Sequence, residues 1–303
     1  MPKLPKSFLA PIFGYTNTPF RLLCQRYGCK ASYIPLVHVS QVKNSVKNIE
    51  AMEQEKGLGI QLSGSNPEQF TEAVKIIERK FPFIERFDVN CGCPSRKTAE
   101  CKLGSALMKK PEIITKIISS IKSETGKPVS VKTRIFEDMA RTLALARAIE
   151  SAGADFMIIH GRTPEQEYSG NADWSTIQGI NNSISIPLVG NGDITSLKQG
   201  RERVSGGFCD SFMIGRAAMS NPLLFRGKDE VEKDERKRIF FEYLSICEDL
   251  EEVELSDLRL KIVQFFKGFE GSAAFRNNLF KSKSVDELLN KITRIDDYAA
   301  GIR

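Results

Sequence analysis

Pro128-Val129-Ser130-Val131-Lys132-Thr133, the helical pattern Arg141–Ala152 and then Asp155-Phe156-Met157-Ile158-Ile159-His160 form the stretch that decides the fold. Two short runs rich in β-branched residues flank one amphipathic segment of about three turns. A strand, a crossover helix and a second strand make a parallel βαβ unit. Reading outward, the same alternation recurs. The apolar runs are Phe8–Ile12, Ser32–Val37, Leu58–Leu62, Arg86–Asn90, Pro128–Thr133, Asp155–His160, Ile186–Asn191 and Cys209–Ile214. Helical patterns such as Pro67–Lys80, Glu112–Ser123, Arg141–Ala152 and Ser196–Arg203 lie between them. The spacing is about 30 residues, the length of one such unit. An open doubly wound sheet is the competing architecture, but eight units favour closure. The expectation is a (β/α)8 TIM barrel.

The alternation stops at Ser220-Asn221-Pro222. A charged stretch, Lys228–Arg238, follows, and then helical material only, near Glu235–Leu250, Asp257–Phe269 and Asp286–Tyr298. Ser284 with Glu287 has capping-box spacing. The expected division is a barrel over 1–227 and a small helical domain over 228–303. Of the 303 residues 41% are hydrophobic and 27% charged, the balance of a globular chain. No apolar run approaches the roughly 20 residues that cross a bilayer. The start, Met1 to Lys6, lacks the apolar stretch of a signal peptide, so a cytoplasmic location is expected. Seven cysteines, an odd number placed inside elements, are expected to be reduced thiols.

Net charge is +6, from 44 basic and 38 acidic residues. Residues 1–227 hold 30 Lys and Arg against 21 Asp and Glu, or +9; residues 228–303 hold 14 against 17, or −3. The basic excess therefore lies on the barrel, a weak pointer to a nucleic-acid partner.

In a barrel of this kind chemistry sits at the C-terminal strand ends. Those ends are polar while the strand bodies are apolar. Asn191-Gly192-Asp193 and Gly215-Arg216 close the seventh and eighth runs. Glycines let backbone N–H groups approach an anion, and Arg216 adds charge, so this corner is expected to hold phosphate. Lys132 could reach solvent like most lysines, or place positive charge beside a flavin's N1–C2 edge. Gln61 could hydrogen-bond the same edge. His160 could serve phosphate or substrate, or be a core histidine. Cys93, between Gly92 and Pro94, sits in a loop at the catalytic face, where a thiol can act as an acid or a nucleophile. Cys91, Cys93 and Cys101 lack the paired spacing of a zinc or iron–sulfur site, and no metal is expected.

Taken in order, these motifs resemble the dihydrouridine synthase family over roughly residues 7–227. Leu9-Ala10-Pro11-Ile12-Phe13-Gly14-Tyr15-Thr16 with Pro19-Phe20-Arg21 is similar to its opening flavin loop, and Gln61-Leu62-Ser63-Gly64 to its third-strand motif. Asn90-Cys91-Gly92-Cys93-Pro94-Ser95, with Gly104-Ser105-Ala106-Leu107-Met108, resembles its active-site loop. Val131-Lys132-Thr133-Arg134, His160-Gly161-Arg162-Thr163, Tyr168-Ser169-Gly170, Ala172-Asp173-Trp174, Gly190-Asn191-Gly192-Asp193 and Gly215-Arg216 complete the set. The resemblance implies FMN as cofactor and NADPH as electron source. It implies that Pro11, Ile12, Phe13, Gln61, Lys132, His160, Asn191, Gly192, Asp193, Gly215 and Arg216 surround FMN. Cys93 would be the proton donor, and Asn90 and Arg162 would position the uracil. The reaction implied is reduction of a uridine in tRNA, with a D-loop position expected, because the base must leave its stack.

Two departures stand out. The family's opening loop has Met and a small residue where this chain has Ile12-Phe13, a change expected to affect only flavin packing. The second-strand end is often acidic but here reads Pro35-Leu36-Val37. The helical tail would dock RNA by resemblance. Residues 248–257 hold six acids and no base, whereas 259–283 hold six bases and Glu270. Arg259, Lys261, Lys267, Arg276, Lys281 and Lys283 are therefore candidate phosphate contacts, with Phe265, Phe266, Phe269, Phe275 and Phe280 as the tail's core or its stacking surface. The rivals are a flavin barrel acting on a free pyrimidine and an RNA-binding barrel without catalysis. A monomer is expected, since a tRNA must reach the open barrel mouth.

Overall fold

The computed structural model describes residues 4–294; the expected N-terminal start at Met1 and the end of the last predicted helix at Tyr298 lie outside the described residues. Every predicted strand is present: β1 Ser7–Leu9, β2 Ser32–His38, β3 Leu58–Ser63, β4 Arg86–Cys91, β5 Val129–Arg134, β6 Phe156–His160, β7 Leu188–Asn191 and β8 Ser211–Ile214. They form one eight-stranded sheet in the order β1-β8-β7-β6-β5-β4-β3-β2, and every pair is parallel. The Leu9 N–H donates to the Ala31 carbonyl at 2.8 Å across the β1–β2 seam. The sheet is thus a nearly closed TIM barrel.

The helices are α1 Thr18–Arg26, α2 Val39–Ser45, α3 Pro67–Lys80, α4 Arg96–Glu100, α5 Pro111–Lys122, α6 Met139–Ser151, α7 Trp174–Asn181, α8 Leu197–Ser205, α9 Arg216–Ser220, α10 Lys233–Asp249, α11 Leu255–Phe265, α12 Ser272–Phe280 and α13 Val285–Thr293. Helix α3 shows why they form. Asn66 caps it by accepting from the Glu68 N–H at 2.9 Å, Pro67 occupies the first turn, and Phe70, Ala73, Val74 and Ile77 bury one stripe. Among the described residues no helix is long and apolar enough to cross a membrane.

Alternate strand residues point into the lumen. Phe8, Tyr33, Phe156, Ile158, Val189 and Met213 fill it as a separate buried cluster. Arg86 lies over the Phe8 and Tyr33 rings at 5.7 and 5.9 Å and donates to the Gly57 carbonyl at 3.1 Å. Gly59 gives way to them: a Cβ there would meet Tyr33 and Arg86 at 2.6 Å. One level up, the ladder places Asp88 beside both Gln61 and Ser130. Above that, Asn90 pairs with Lys132, and His160 stands between Arg134 and Asn191. The register thus collects the polar strand ends at one mouth.

In the tail, α12 was not anticipated. Gly268 and Gly271 precede it, both at positive φ, and its two asparagines weaken the helical pattern. The capping box at α13 is shifted by one residue. Ser284 Oγ accepts from the Glu287 N–H at 3.2 Å, but the Glu287 carboxylate accepts from the Lys283 N–H at 2.8 Å, not from Ser284. Phe265, Phe266 and Phe275 are core, whereas Phe280 is exposed.

The tail is tied to the barrel by buried polar groups. Lys261 is fully buried. Its ammonium donates to the Tyr15 carbonyl and to Asp257, each at 2.9 Å, and lies 4.3 Å from the centre of the Tyr15 ring. Tyr243 Oη donates to the other oxygen of Asp257, and Phe265 stacks on Phe20 of α1. Lys261 therefore cannot be the RNA contact the sequence suggested, because its donors are turned inward. Breaking a buried pair leaves an uncompensated charge and costs about 3–5 kcal/mol. Lys261→Met is expected to lower unfolding free energy by about that amount in a urea titration, and Lys261→Met with Asp257→Asn to recover part of it. A loss below about 1 kcal/mol would mean the pair is replaceable by water.

Candidate active site

A cavity of about 750 Å³ opens at the C-terminal strand ends. It is lined by Pro11, Ile12, Phe13, Gln61, Asn90, Cys93, Lys132, His160, Asn191, Gly192, Asp193, Gly215 and Arg216. Of the residues that the resemblance places at FMN, the proton donor or the uracil, Arg162 is the one not on its wall.

Arg162 is buried behind that wall. It grips Asp193 through both carboxylate oxygens at 2.7 Å and donates to the carbonyls of Ser169 and Gly170 at 3.0 and 2.7 Å. Asp193 also accepts from the Ala172 N–H at 2.7 Å and approaches Arg216 at 3.3 Å. Burial works to raise the Asp193 carboxyl, but the Ala172 N–H and the two arginines outweigh it and hold it below its ordinary value. Asp193 thus fixes Arg162 and Arg216. Gly192 stands at φ 124°, and a Cβ there would press on Ala172 and His160 at 2.6 and 2.9 Å. At Gly215 a Cβ would meet only Ala10, at 3.6 Å, so this corner keeps open space beside Arg216.

His160 lies among cations. Burial first, then Lys132, Arg134, Arg162 and Arg216, push its pKa down to about 2. It is therefore neutral. Arg162 Nη1 lies 3.4 Å from His160 Nε2, and a guanidinium can only donate. Nε2 is then the acceptor and the ring proton is on Nδ1. Lys132 Nζ donates to Asn191 Oδ1 at 3.4 Å, and Asn191 is fixed in turn by donating to the Met213 carbonyl at 2.9 Å.

Cys93 ends a relay of directed hydrogen bonds. Asp88, fully buried, accepts from Ser130 Oγ at 2.6 Å and from Gln61 Nε2 at 2.7 Å. Gln61 Oε1 then accepts from Asn90 Nδ2 at 2.7 Å, and Asn90 Oδ1 accepts from the N–H groups of Gly92 and Cys93 at 3.3 and 3.2 Å. Arg134 Nε holds the Gly92 carbonyl at 2.9 Å, and the Ser105 N–H holds the Cys93 carbonyl at 3.0 Å. The Cys93 thiol lies 3.5 Å from Thr98 Oγ1 and 3.6 Å from Ser95 Oγ. Burial works to raise Cys93, but these hydroxyls and the charge of Arg134 outweigh it and hold the thiol below its ordinary value.

Arg134 and Tyr168 on the wall were given no individual role from the sequence, whereas Lys267 was read as a phosphate contact. Arg134 and Tyr168 line the cavity, with Arg216 stacked 4.9 Å from the Tyr168 ring centre. Lys267 comes from the tail and reaches the same mouth. Asp88 was missed too, although an acid in an otherwise apolar strand is a readable signal.

Comparison with known proteins places this arrangement. The sequence model of the dihydrouridine synthase family matches residues 8–299, so the likeness runs through the tail as well as the barrel. The Aquifex aeolicus protein named "Probable tRNA-dihydrouridine synthase" is 31% identical over 300 residues, covering 94% of each chain. The tRNA-dihydrouridine synthase B of Pasteurella multocida is 33% identical over 235 residues, 75% of this chain and 70% of its own. Among solved structures, histamine dehydrogenase from Rhizobium sp. 4-9 superposes with a TM-score of 0.53 at 14% identity, covering 80% of this chain and 49% of that one. That likeness is one of fold.

The relay makes a pH prediction. Burial above all raises Asp88, to about 7, against the hydrogen bonds and the charge of Lys132 that lower it. An unfolded Asp ionises near pH ~3.9. Folding therefore favours the protonated form. This contribution is present below about pH 4 and is lost as pH rises towards 7. Asp88→Asn can still accept from Gln61 but cannot titrate. Its unfolding free energy should fall less than that of the wild type between pH 4 and 7, measured by urea unfolding. Parallel curves would show that Asp88 does not change charge on folding.

Proposed function

The chain belongs to the dihydrouridine synthase family, and we propose that it reduces the C5=C6 bond of a uridine in tRNA, with FMN as cofactor and NADPH as reductant. The observation that carries this reading is the juxtaposition of Cys93, on its fixed loop, with a cationic cavity at the barrel mouth.

The cavity suits a flavin mononucleotide in charge and shape. Arg216 and the open corner at Gly215 would hold the phosphate, with Gly192 and the Asp193 bracket behind them. Lys132 would face the N1–C2 edge, where positive charge favours the reduced ring. Gln61 is oriented by Asp88 and would meet the same edge. Pro11, Ile12 and Phe13 would border the ring, and neutral His160 and Asn191 would complete the wall. Flavin, when bound, supplies the hydride for uracil C6.

Cys93 would give its proton to C5. Stabilised as a thiolate by Thr98, Ser95 and Arg134, it parts with that proton more readily than an ordinary thiol. Asn90 would position the uracil as well as the cysteine loop. Arg162 would act through Asp193 and His160 rather than by touching the base. Arg134 and Tyr168 line the substrate side. The uridine would have to leave its stack, which favours a loop position such as the D-loop.

We assign RNA docking to the helical tail, residues 228–303. Lys267 reaches the mouth, and Lys281 and Lys283 are exposed. Arg259 and Arg276 donate to the Ser282 and Phe266 carbonyls and keep only part of their guanidinium for a phosphate.

The deciding test is mass spectrometry of nucleosides from unmodified tRNA treated with the protein, FMN and NADPH. Wild type should add two hydrogens to a uridine, and Cys93→Ala should be slower by about 10²–10⁴-fold. Turnover of free uracil or orotate with none on tRNA would instead mark a small-molecule reductase. For docking, Lys281→Glu with Lys283→Glu should weaken tRNA binding and reduce the slope of log affinity against log salt by roughly one to two. Unchanged binding would remove the tail lysines from the interface.

A further inference from the structure

A second cavity, of about 1000 Å³, lies beside the first, between α2 and the start of α11. Only Phe13 and Leu36 line both. These are the two places where the sequence departs from the family pattern, so the departures meet in one apolar septum. Phe13, expected from the resemblance to border the flavin, lines both cavities. Its side chain is 73% exposed, with no aromatic or cationic partner among the described residues. Yet the turn that carries it is held firmly. The Ile12 N–H donates to Thr16 Oγ1 and the Thr16 N–H to the Ile12 carbonyl, both at 3.0 Å, and Tyr15 Oη donates to the Met219 carbonyl at 2.7 Å. Leu36 stands at φ 40°, in an irregularity of β2 where Pro35 has no N–H to give. A rigidly presented, solvent-facing phenyl ring is a stacking platform.

The two cavities have opposite charge. The first holds Lys132, Arg134, Arg216 and Lys267 against Asp193. The second holds Glu50, Glu251, Glu252 and Glu254, with Asp257 at its wall already taken by Lys261 and Tyr243. Its only Arg or Lys among the described residues is Arg21, which is consumed by Glu55, at 2.6 and 2.9 Å, and by the Thr16 carbonyl, Thr18 and the Glu50 carbonyl; His38 also lines it, and burial lowers its pKa. Such a cavity repels phosphate and accepts N–H donors. Exposed Gln41, Asn44 and Asn48 on its rim can serve either kind of edge. A metal ion is not favoured, because no group of three or more His, Cys, Asp or Glu among the described residues is placed to hold one.

We propose that this second cavity is a nucleobase pocket: it takes the base next to the reduced uridine, stacked on Phe13, and prefers one that carries an amino group. The proposal rests on the reading of tRNA as substrate. Because Phe13 and Leu36 each border both cavities, consecutive bases of one strand can lie on either side of the septum, with their phosphates turned to the basic rim. Selection of the tRNA site would then come from this neighbour as well as from the uracil.

The test uses the full-length protein with FMN, NADPH and tRNA transcripts, after the reduced uridine has been located. Each flanking nucleotide is changed in turn to A, C, G and U, and kcat/KM is measured. At one flank the amino-bearing bases should exceed uridine by about tenfold or more, a discrimination of the size one well-placed base contact gives. Glu252→Gln with Glu254→Gln should bring the ratio to within about threefold, while NADPH oxidation with a flavin-accepting dye stays unchanged. Phe13→Ala should raise KM for every transcript. Equal rates for all four bases in the wild type, or a preference that survives the glutamine substitutions, would overturn the pocket. If wild type reduces no uridine, the reaction reading fails instead. Binding affinities of short oligonucleotides that differ only in one base, A, C, G or U, with the wild type and the glutamine variant, then decide the pocket by the same ratio.

Discussion

A carboxylate shut away from water orders the groups above it. Asp88 can only accept while ionised, so Gln61 must turn its amide nitrogen down and its oxygen up. That oxygen can only accept, so Asn90 must offer its nitrogen there and its oxygen to the Cys93 loop. Three side chains on two adjacent strands thus have one allowed orientation. Removing any one leaves a buried polar partner unsatisfied, which is costly in a low-dielectric interior. The relay needs the parallel register that sets Gln61 beside Asp88, and it lies directly above the packed lumen of Phe8, Tyr33 and Phe156.

The same geometry explains what could be read in advance. The strand bodies are runs of Ile, Val, Phe and Leu because both of their faces are buried, and such runs are visible in a sequence. Glycine and charge at the strand ends marked the mouth. What the residues could not disclose was direction. Arg162 reads as a free cation after a strand, but its guanidinium faces Asp193 across a turn rather than the cavity. Lys261 belongs to a basic segment, yet it sits on the inner face of α11, where Asp257 and the Tyr15 carbonyl wait one turn away and one domain away. Asp88 sits between Phe87 and Val89, and its role depends on neighbours 27 and 42 residues distant along the chain. Local pattern carries period and polarity; pairing across the barrel does not appear in it.

Charge is sorted on this molecule by fine placement rather than by domain. The tail is acidic in sum, yet it sends Lys267 to the cationic mouth and Glu251, Glu252 and Glu254 to the neighbouring cavity. Lys261 joins the two by holding Tyr15 in the turn that displays Phe13. The tail therefore shapes the first loop of the barrel as well as presenting its own surface. A detached appendage would need no fully buried ammonium at the junction.

A basin of cations sets a limit on the acid that works in it. Burial first, and then Lys132, Arg134, Arg162 and Arg216, drive His160 to the neutral form, so histidine cannot serve as a proton donor there at neutral pH. On the same wall the Asp193 carboxyl, held by the Ala172 N–H, Arg162 and Arg216, is kept below its ordinary value and has no proton to give at neutral pH. A thiol starts several units higher than a carboxyl, and the hydroxyls and Arg134 lower Cys93 from that start. Burial opposes the shift, and the two hydroxyls with Arg134 set its sign. On the proposed reaction, the contacts that ease the proton from Cys93 are those that hold the thiolate left behind. On that same proposal, the choice of cysteine would follow from the positive charge that a phosphate-bearing cofactor would require.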